Sequence, residues 1–319
     1  MLTVSEAAAL LRTFDNVLIL THVRPDGDTV GCAAALCAGL RALGKTAYLL
    51  SNPELTDTTA PYFAPYAAPA DFAPERVVSV DMATRGLFPE NARPYGERVD
   101  LAIDHHPSFE AFGRANILRA EAAACGELVY DILRELGPIT PEIALPLYVA
   151  VSTDTGCFAY ANTTPRTHHV AASLMETGID YRTVNKVFFR TKTRKRMQLE
   201  GAMLSACEFY DRGRVAVLSV PLSLIEQFQA TESDAEELSA LGPQIQGVDC
   251  AITLRELRKD VWKISLRTGE RVNATRACGL LGGGGHAAAA GCTVEAPWAE
   301  VKRRILDAVA QVAPDFAAD

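Results

Sequence analysis

Apolar positions recur at helical spacing in the opening stretch, MLTVSEAAALLRTFDN, which predicts an amphipathic helix opened by Ser5 and Glu6. A short apolar run follows, Val17-Leu18-Ile19-Leu20, and then an Ala-rich helical pattern over residues 30–43 that Gly44 ends. Residues 47–50, 77–80 and 101–103 are further short apolar runs. Helical periodicity returns over residues 122–136, stops at Gly137, and begins again near Pro141 toward Val151. Short buried strands separated by helices predict a mostly parallel sheet covered on both faces.

The pattern then changes. Residues 181–210 read as one long helical stretch rich in Arg and Lys. Beyond Arg214 come a strand at residues 215–220, a helix near 233–241, and two strands around a turn at Arg258-Lys259-Asp260. A glycine run at residues 282–285 precedes a final helix from Pro297 to about Val312. The expected fold is therefore α/β in three parts. Residues 1–188 form a parallel-sheet catalytic domain, 189–212 a helical connector, and 213–319 a smaller mixed-sheet α/β domain for substrate binding.

Composition narrows the function. The 319 residues suffice for two cores, and the net charge of −8 argues against holding long nucleic acid by bulk electrostatics. A small phosphorylated substrate remains open, because metal ions reverse the local field of an acidic pocket. The eight cysteines form no CxxC pair and read as reduced thiols in a cytoplasmic protein. No apolar run approaches the ~18 residues that span a membrane.

Three of the apolar runs end alike. The first leads into Thr21-His22 and the turn Pro25-Asp26-Gly27-Asp28, the run at 77–80 into Asp81, and that at 101–103 into Asp104-His105-His106. A fourth carboxylate, in Ser152-Thr153-Asp154-Thr155-Gly156, follows an apolar helix. Taken singly these are ordinary: Asp81 alone reads as a turn or helix cap, and the Pro-Asp-Gly-Asp segment as a β-turn. Together they would gather carboxylate and imidazole at the carboxyl edge of one parallel sheet, where functional groups collect. Such a donor set without thiolate suits Mn²⁺ or a similar ion better than a structural Zn²⁺ cage. More carboxylates than one ion needs point to two ions sharing a bridging Asp, a pair able to activate water and clamp a phosphoryl group. His168 and His169 follow Thr164-Pro165 on a helical pattern and read as surface residues.

These residues resemble a known family. His22-Val-Arg-Pro-Asp-Gly-Asp28, Val80-Asp81, Asp104-His105-His106 and Thr153-Asp154-Thr-Gly156 match, in order, the motifs of the DHH phosphoesterase superfamily. Gly283-Gly-Gly-His286-Ala-Ala-Ala-Ala-Gly291 resembles the signature of the DHH-associated substrate domain. The resemblance spans essentially the whole chain. Its layout is most like the oligoribonuclease branch, the nanoRNases that also remove the 3′-phosphate of 3′-phosphoadenosine 5′-phosphate, and Phe188-Phe189-Arg190 fits that branch.

The resemblance implies a Mn-dependent phosphodiesterase or phosphatase acting on very short RNA and 3′-phosphoadenosine 5′-phosphate through metal-activated water. It implies two Mn²⁺, with Mg²⁺ or Co²⁺ as substitutes. One ion would be held by His22, Asp26 and Asp81, the other by Asp28, Asp81, His105 and Asp154. His106 would face the phosphate and help move a proton, with Asp104 orienting a ligand from behind. Where the family often has Ser after the first motif's glycine this chain has Gly31-Cys32, and where a Ser-Thr pair is usual it has Ala124-Cys125-Gly126. Both departures leave fine substrate specificity open.

In the second domain, Gly283, Gly284 and Gly285 would let backbone N–H groups approach a phosphate, with His286 beside them. Arg267 would clamp a terminal phosphate through its guanidinium fork. A cleft closed by this domain would favour short chains. The run Arg190-Thr-Lys-Thr-Arg-Lys-Arg196 reads as a solvated face, with guidance of an RNA strand as the sharper option. A homodimer stays open. The rival readings are a cyclic or linear dinucleotide phosphodiesterase, a family II pyrophosphatase, and a nucleotide sensor that has lost catalysis. The last would lack a ligand, and none is missing.

Overall fold

The computed structural model describes residues 1–235 and 238–313. The chain divides into two compact units, Met1–Thr191 and Lys192–Asp319.

The first unit carries five parallel strands: β1 (Val17–Leu20), β2 (Ala47–Leu49), β3 (Arg76–Val80), β4 (Leu101–Asp104) and β5 (Ala115–Leu118). Their order is β2-β1-β3-β4-β5, so the winding reverses between β1 and β3. That is the switch point where doubly wound sheets open a crevice. Alternation sorts the strand residues between two cores. Val17 and Ile19 join the helical side, while Leu18 and Leu20 pack with Val77, Met82, Phe88 and Phe112 on the other. The second side is covered by short turns over residues 85–98 rather than by long helices.

The helices are α1 (Val4–Thr13), α2 (Gly27–Ala42), the short α3 (Ala60–Phe63), α4 (Cys125–Leu136), α5 (Pro141–Asp154), α6 (Pro165–Glu176) and α7 (Tyr181–Phe189). Helix α1 starts one step earlier than its sequence predicts, because Thr3 and Glu6 close a capping box. Helix α2 also starts earlier, at Gly27, and so takes Asp28 into its first turn. Glycines set how closely α2 and α5 pack. A Cβ on Gly31 would fall 2.3 Å from the Pro146 carbonyl, and one on Gly27 would fall 2.4 Å from Thr153 Oγ1. This contact brings the start of α2 against the last turn of α5. Forcing a methyl into it would cost about 1–3 kcal/mol.

The second unit holds α8 (Arg194–Ser205), β6 (Glu208–Tyr210), β7 (Val215–Val220), α9 (Leu222–Phe228), β8 (Cys250–Arg258), β9 (Val261–Thr268), α10 (Ala274–Gly279), β10 (Gly284–His286), β11 (Ala289–Glu295) and α11 (Trp298–Val312). Its sheet runs β10-β11-β9-β8-β7-β6 and is mixed, with β7 and β8 parallel and the other pairs antiparallel.

Three expectations change here. Residues 181–210 are not one helix: α7 ends at Phe189, Thr193 caps α8 by accepting from the Arg196 N–H, and the stretch finishes as β6. The connector's basic helix belongs to the second unit, since Leu199 and Met203 pack with Ala216, Leu218 and Val220 of β7. The helix expected near 233–241 is a pair of single turns at Ser233–Ala235 and Leu238–Ala240, with residues 236 and 237 outside the described ones. Within the glycine run, Gly284 and Gly285 open edge strand β10, which pairs antiparallel with β11.

Candidate metal centre

Each ligand candidate sits where a strand or helix ends at the switch-point edge. His22 follows β1, Asp81 follows β3, and Asp104 closes β4 ahead of His105 and His106. Asp26 caps α2, its Oδ1 accepting from the Asp28 and Thr29 N–H groups at 3.0 and 3.1 Å. Asp154 is the last residue of α5. The turn reading and the ligand reading of Asp26 are therefore compatible.

Two histidines are fixed with Nε2 facing the carboxylates. His22 donates Nδ1–H to the Val23 carbonyl at 2.8 Å, and His105 donates Nδ1–H to the Ala122 carbonyl at 3.1 Å. His22 Nε2 lies 3.7 Å from both Asp26 Oδ1 and Asp81 Oδ2. His105 Nε2 lies 3.4 Å from Asp81 Oδ1, 3.6 Å from Asp154 Oδ2 and 3.8 Å from Asp28 Oδ2. Asp81 thus turns one oxygen toward each imidazole. Its backbone has φ +53°, a left-handed conformation that Asp tolerates at a small cost.

Three groups have ligand atoms within 4.8 Å of one another: His22 with Asp26 and Asp81, Asp28 with His105 and Asp154, and Asp81 with His105 and His106. The first two correspond to the two ligand sets the family resemblance implies, apart from Asp81, which reaches the second set through His105.

The electrostatics call for cations. Asp28 and Asp81 are 1% and 2% exposed, and Asp81 Oδ1 is buried without a hydrogen-bond partner, as is Asp104 Oδ2. Burial, with Asp81, Asp154 and Asp26 nearby, pushes the Asp28 carboxyl well above the usual range. Burial likewise lifts Asp154 to about 6, against the pull of His105. Burial disfavours charge on His22, yet Asp26 and Asp81 more than offset it and hold the imidazole at about 10. A cluster that holds the proton on His22 and raises the Asp28 and Asp154 carboxyls is short of positive charge, which divalent ions would supply.

The triplet splits into distinct roles. Asp104, fully buried, accepts at Oδ1 from the His105 and His106 backbone N–H groups (2.6 and 3.1 Å) and from His106 Nδ1–H at 2.7 Å. It holds the turn that aims both imidazoles. The His106 side chain remains 42% exposed, and its bond to Asp104 lifts it to about 9.

The sequence reading missed what holds Asp28. Oδ2 accepts from the Cys125 N–H at 2.7 Å, and Oδ1 from the Gly126 N–H at 3.0 Å and the Cys32 thiol at 3.2 Å. The two departures from the family pattern therefore meet on one ligand candidate. Cys32 stands four residues after Asp28 on a helix, a spacing that could have signalled the contact. Asn162 was also missed; its amide donates to the Asp154 carbonyl at 3.1 Å and the Ala123 carbonyl at 2.9 Å.

The other candidates lie in the second unit. Arg267 on β9 pairs with Ala289 of β11, which pairs with His286 of β10. Residues directly opposite in antiparallel strands share a face, so Arg267 and His286 flank Ala289, roughly 10 Å apart. Arg267 is half-buried and donates to its own neighbour, the Leu266 carbonyl, at 3.0 Å, while His286 is exposed. Gly283 and Gly285 are required by space: a Cβ would fall 2.3 Å from the Gly291 carbonyl or 2.6 Å from that of Ala289. Gly284 faces open space. His168 and His169 are exposed on α6, with His168 stacked on Phe158.

A five-stranded parallel sheet with this ligand edge, followed by a mixed-sheet unit, defines the DHH class of hydrolases. Residues 16–151 match the DHH family, N-terminal domain, and residues 213–314 match the DHHA1 domain. The chain belongs to the DHH family. It is 32% identical over 301 residues to the bifunctional oligoribonuclease and PAP phosphatase NrnA of Thermus thermophilus, covering 92% of this chain and 89% of that one. The NrnA of Bacillus subtilis is 24% identical over 308 residues, covering 93% and 96%. The solved structure of an exopolyphosphatase-related protein from Bacteroides fragilis shares the fold, with a TM-score of 0.86 at 23% identity, covering 98% and 96% of the two chains. No described helix is long and apolar enough to cross a membrane.

Proposed function

We propose that this protein is a metal-dependent phosphoesterase that hydrolyses very short RNA oligonucleotides and the 3′-phosphate of 3′-phosphoadenosine 5′-phosphate, with water as the nucleophile. The observation that carries the reading is Asp81: a buried carboxylate between two ligand trios, one oxygen toward each histidine, one oxygen unpartnered. The relatives' names supply the substrate class.

His22, Asp26 and Asp81 would hold one ion, and Asp28, His105 and Asp154 the other, with Asp81 bridging. The carboxylate and imidazole donors suit Mn²⁺, with Mg²⁺ or Co²⁺ as substitutes. When bound, such a pair lowers the pKa of water toward about 7 and clamps the attacking and leaving oxygens. Asp104 keeps His106 Nδ1 occupied, so His106 presents Nε2 to the substrate and returns a proton to the leaving ribose oxygen as the P–O bond breaks. Arg267 and His286, with the backbone of Gly283, Gly284 and Gly285, would grip a phosphate away from the scissile bond. The eight free cysteines suit a reducing compartment such as the cytoplasm.

The test is a substrate panel with Mn²⁺: RNA from dimer to 24-mer, 3′-phosphoadenosine 5′-phosphate, cyclic di-AMP and pyrophosphate. The expected result is a kcat/KM that falls steeply from dimer or trimer to 24-mer, with release of phosphate from 3′-phosphoadenosine 5′-phosphate. Equal efficiency at every length, or a preference for cyclic di-AMP or pyrophosphate, would overturn the reading.

A further inference from the structure

After Asp154 the chain turns back on itself in a short loop. Its rings divide. Phe158 is packed inward, its centroid 5.3 Å from His168 and 6.2 Å from Tyr148. Tyr160 turns the other way and is 59% exposed. Among the described Phe, Tyr and Trp residues, Tyr160 and Phe209 are the two more than half exposed, and Phe209 belongs to the second unit.

The Tyr160 ring is exposed but placed. The Ala159 and Tyr160 N–H groups both donate to the Thr155 carbonyl, at 2.9 and 3.0 Å. Asn162 ties the far side of the loop to the Asp154 carbonyl. Gly156, at φ +55°, lies against the ring: a Cβ there would fall 2.4 Å from it. Glycine is thus required both by the turn and by the ring. Gly156 is two residues from Asp154, at most about 7.6 Å away at Cα, so the loop that carries the ring begins at a ligand candidate. An exposed aromatic fixed by its own loop is costly to leave wet and well suited to a flat apolar partner.

We infer that Tyr160 is a specificity-determining residue that stacks on the base of the nucleotide whose phosphate reaches the metal centre. The inference rests on the phosphoesterase reading above and adds where a base is gripped. Stacking tolerates any base, since each has a π-face. It would let the site take short RNA of any sequence while disfavouring a phosphodiester without a base.

Steady-state kinetics on 5′-phosphorylated RNA dinucleotides, intact or lacking one base at either end, test this in wild type and in Tyr160→Ala, Tyr160→Leu, Tyr160→Phe and Tyr160→Trp. Removing one of the two bases should raise the wild-type KM roughly five- to hundredfold with little change in kcat. Tyr160→Ala should raise KM for the intact dinucleotide by the same factor and make it indifferent to that base. Phe and Trp should restore the wild-type pattern. Leu, which covers Gly156 without a ring, should behave as Ala does; if Leu restores it, the residue only supports its loop and the inference fails. An unchanged KM in Tyr160→Ala, or the same base dependence in wild type and variant, also overturns it. If wild type hydrolyses no dinucleotide, the phosphoesterase reading falls, and this inference with it.

Discussion

In the first unit, Asp28, Asp81 and Asp104 are each at most 2% exposed and crowd against imidazoles. In the second unit, His286 stands exposed on an edge strand and Arg267 is half-buried at a strand end. The two regions solve different problems. Buried carboxylates beyond what His22 can match are costly to ionise, and in the function proposed above bound ions would meet that cost and supply the chemistry. A basic side chain at an accessible place on a sheet carries no such cost, so it can only add grip. Loss of a buried acidic group should therefore destroy turnover, and loss of an exposed basic one should weaken substrate recognition.

Asp81→Asn breaks that contrast most severely. It should lower kcat on every substrate by at least about a thousandfold while the protein stays folded, because the amide removes a charge shared by both trios. Normal turnover at saturating Mn²⁺ would remove Asp81 from the centre of the account.

Metal removal sharpens the same point through pH. Without cations, Asp28 and Asp154 bind protons more tightly folded than unfolded. The stability those protons confer is complete below the ordinary carboxyl range and drains away as pH rises through about 6 for Asp154, with Asp28 shifted in the same direction. The rise in Tm on adding Mn²⁺ should therefore grow between pH 5 and pH 7.5. A gain of the same size at both pH values would mean the carboxyls are not the ions' ligands.

The smallest effects belong to the second unit. Arg267→Ala and His286→Ala should each cost roughly ten- to a hundredfold in kcat/KM on dinucleotides bearing a distal phosphate. Both should barely change hydrolysis of bis-p-nitrophenyl phosphate and leave metal content intact. An equal loss on the generic ester would move the residue into the chemistry.

Much of the first unit was legible because each of β1, β3 and β4 is an apolar run that stops at a polar ligand candidate. Edge strand β5, Ala-Asn-Ile-Leu, was not, since it is half-buried and short of the apolar signal. Strand β10 was hidden for a related reason: glycines carry no side chains to alternate, so Gly284 and Gly285 gave no strand signal. The break between α7 and α8 lies in a run of Arg, Lys and Thr that gives no apolar periodicity, and the Thr193 cap decides it. Within the site, the ligand candidates were readable only as a set, at the ends of successive apolar elements. Their supports were not: the Cys125 and Gly126 N–H groups reach Asp28 across 97 and 98 residues of sequence. Backbone donors leave no mark in composition.

The central claim is a pair of ions joined by Asp81, and counting them tests it most directly. Mn²⁺ titrated into metal-free protein, with bound metal measured by calorimetry and elemental analysis, should reach two ions per chain in the wild type and fall below two in Asp81→Asn. A wild-type protein that saturates at one ion per chain, or an Asp81→Asn variant that still binds two with unchanged affinity, would contradict it.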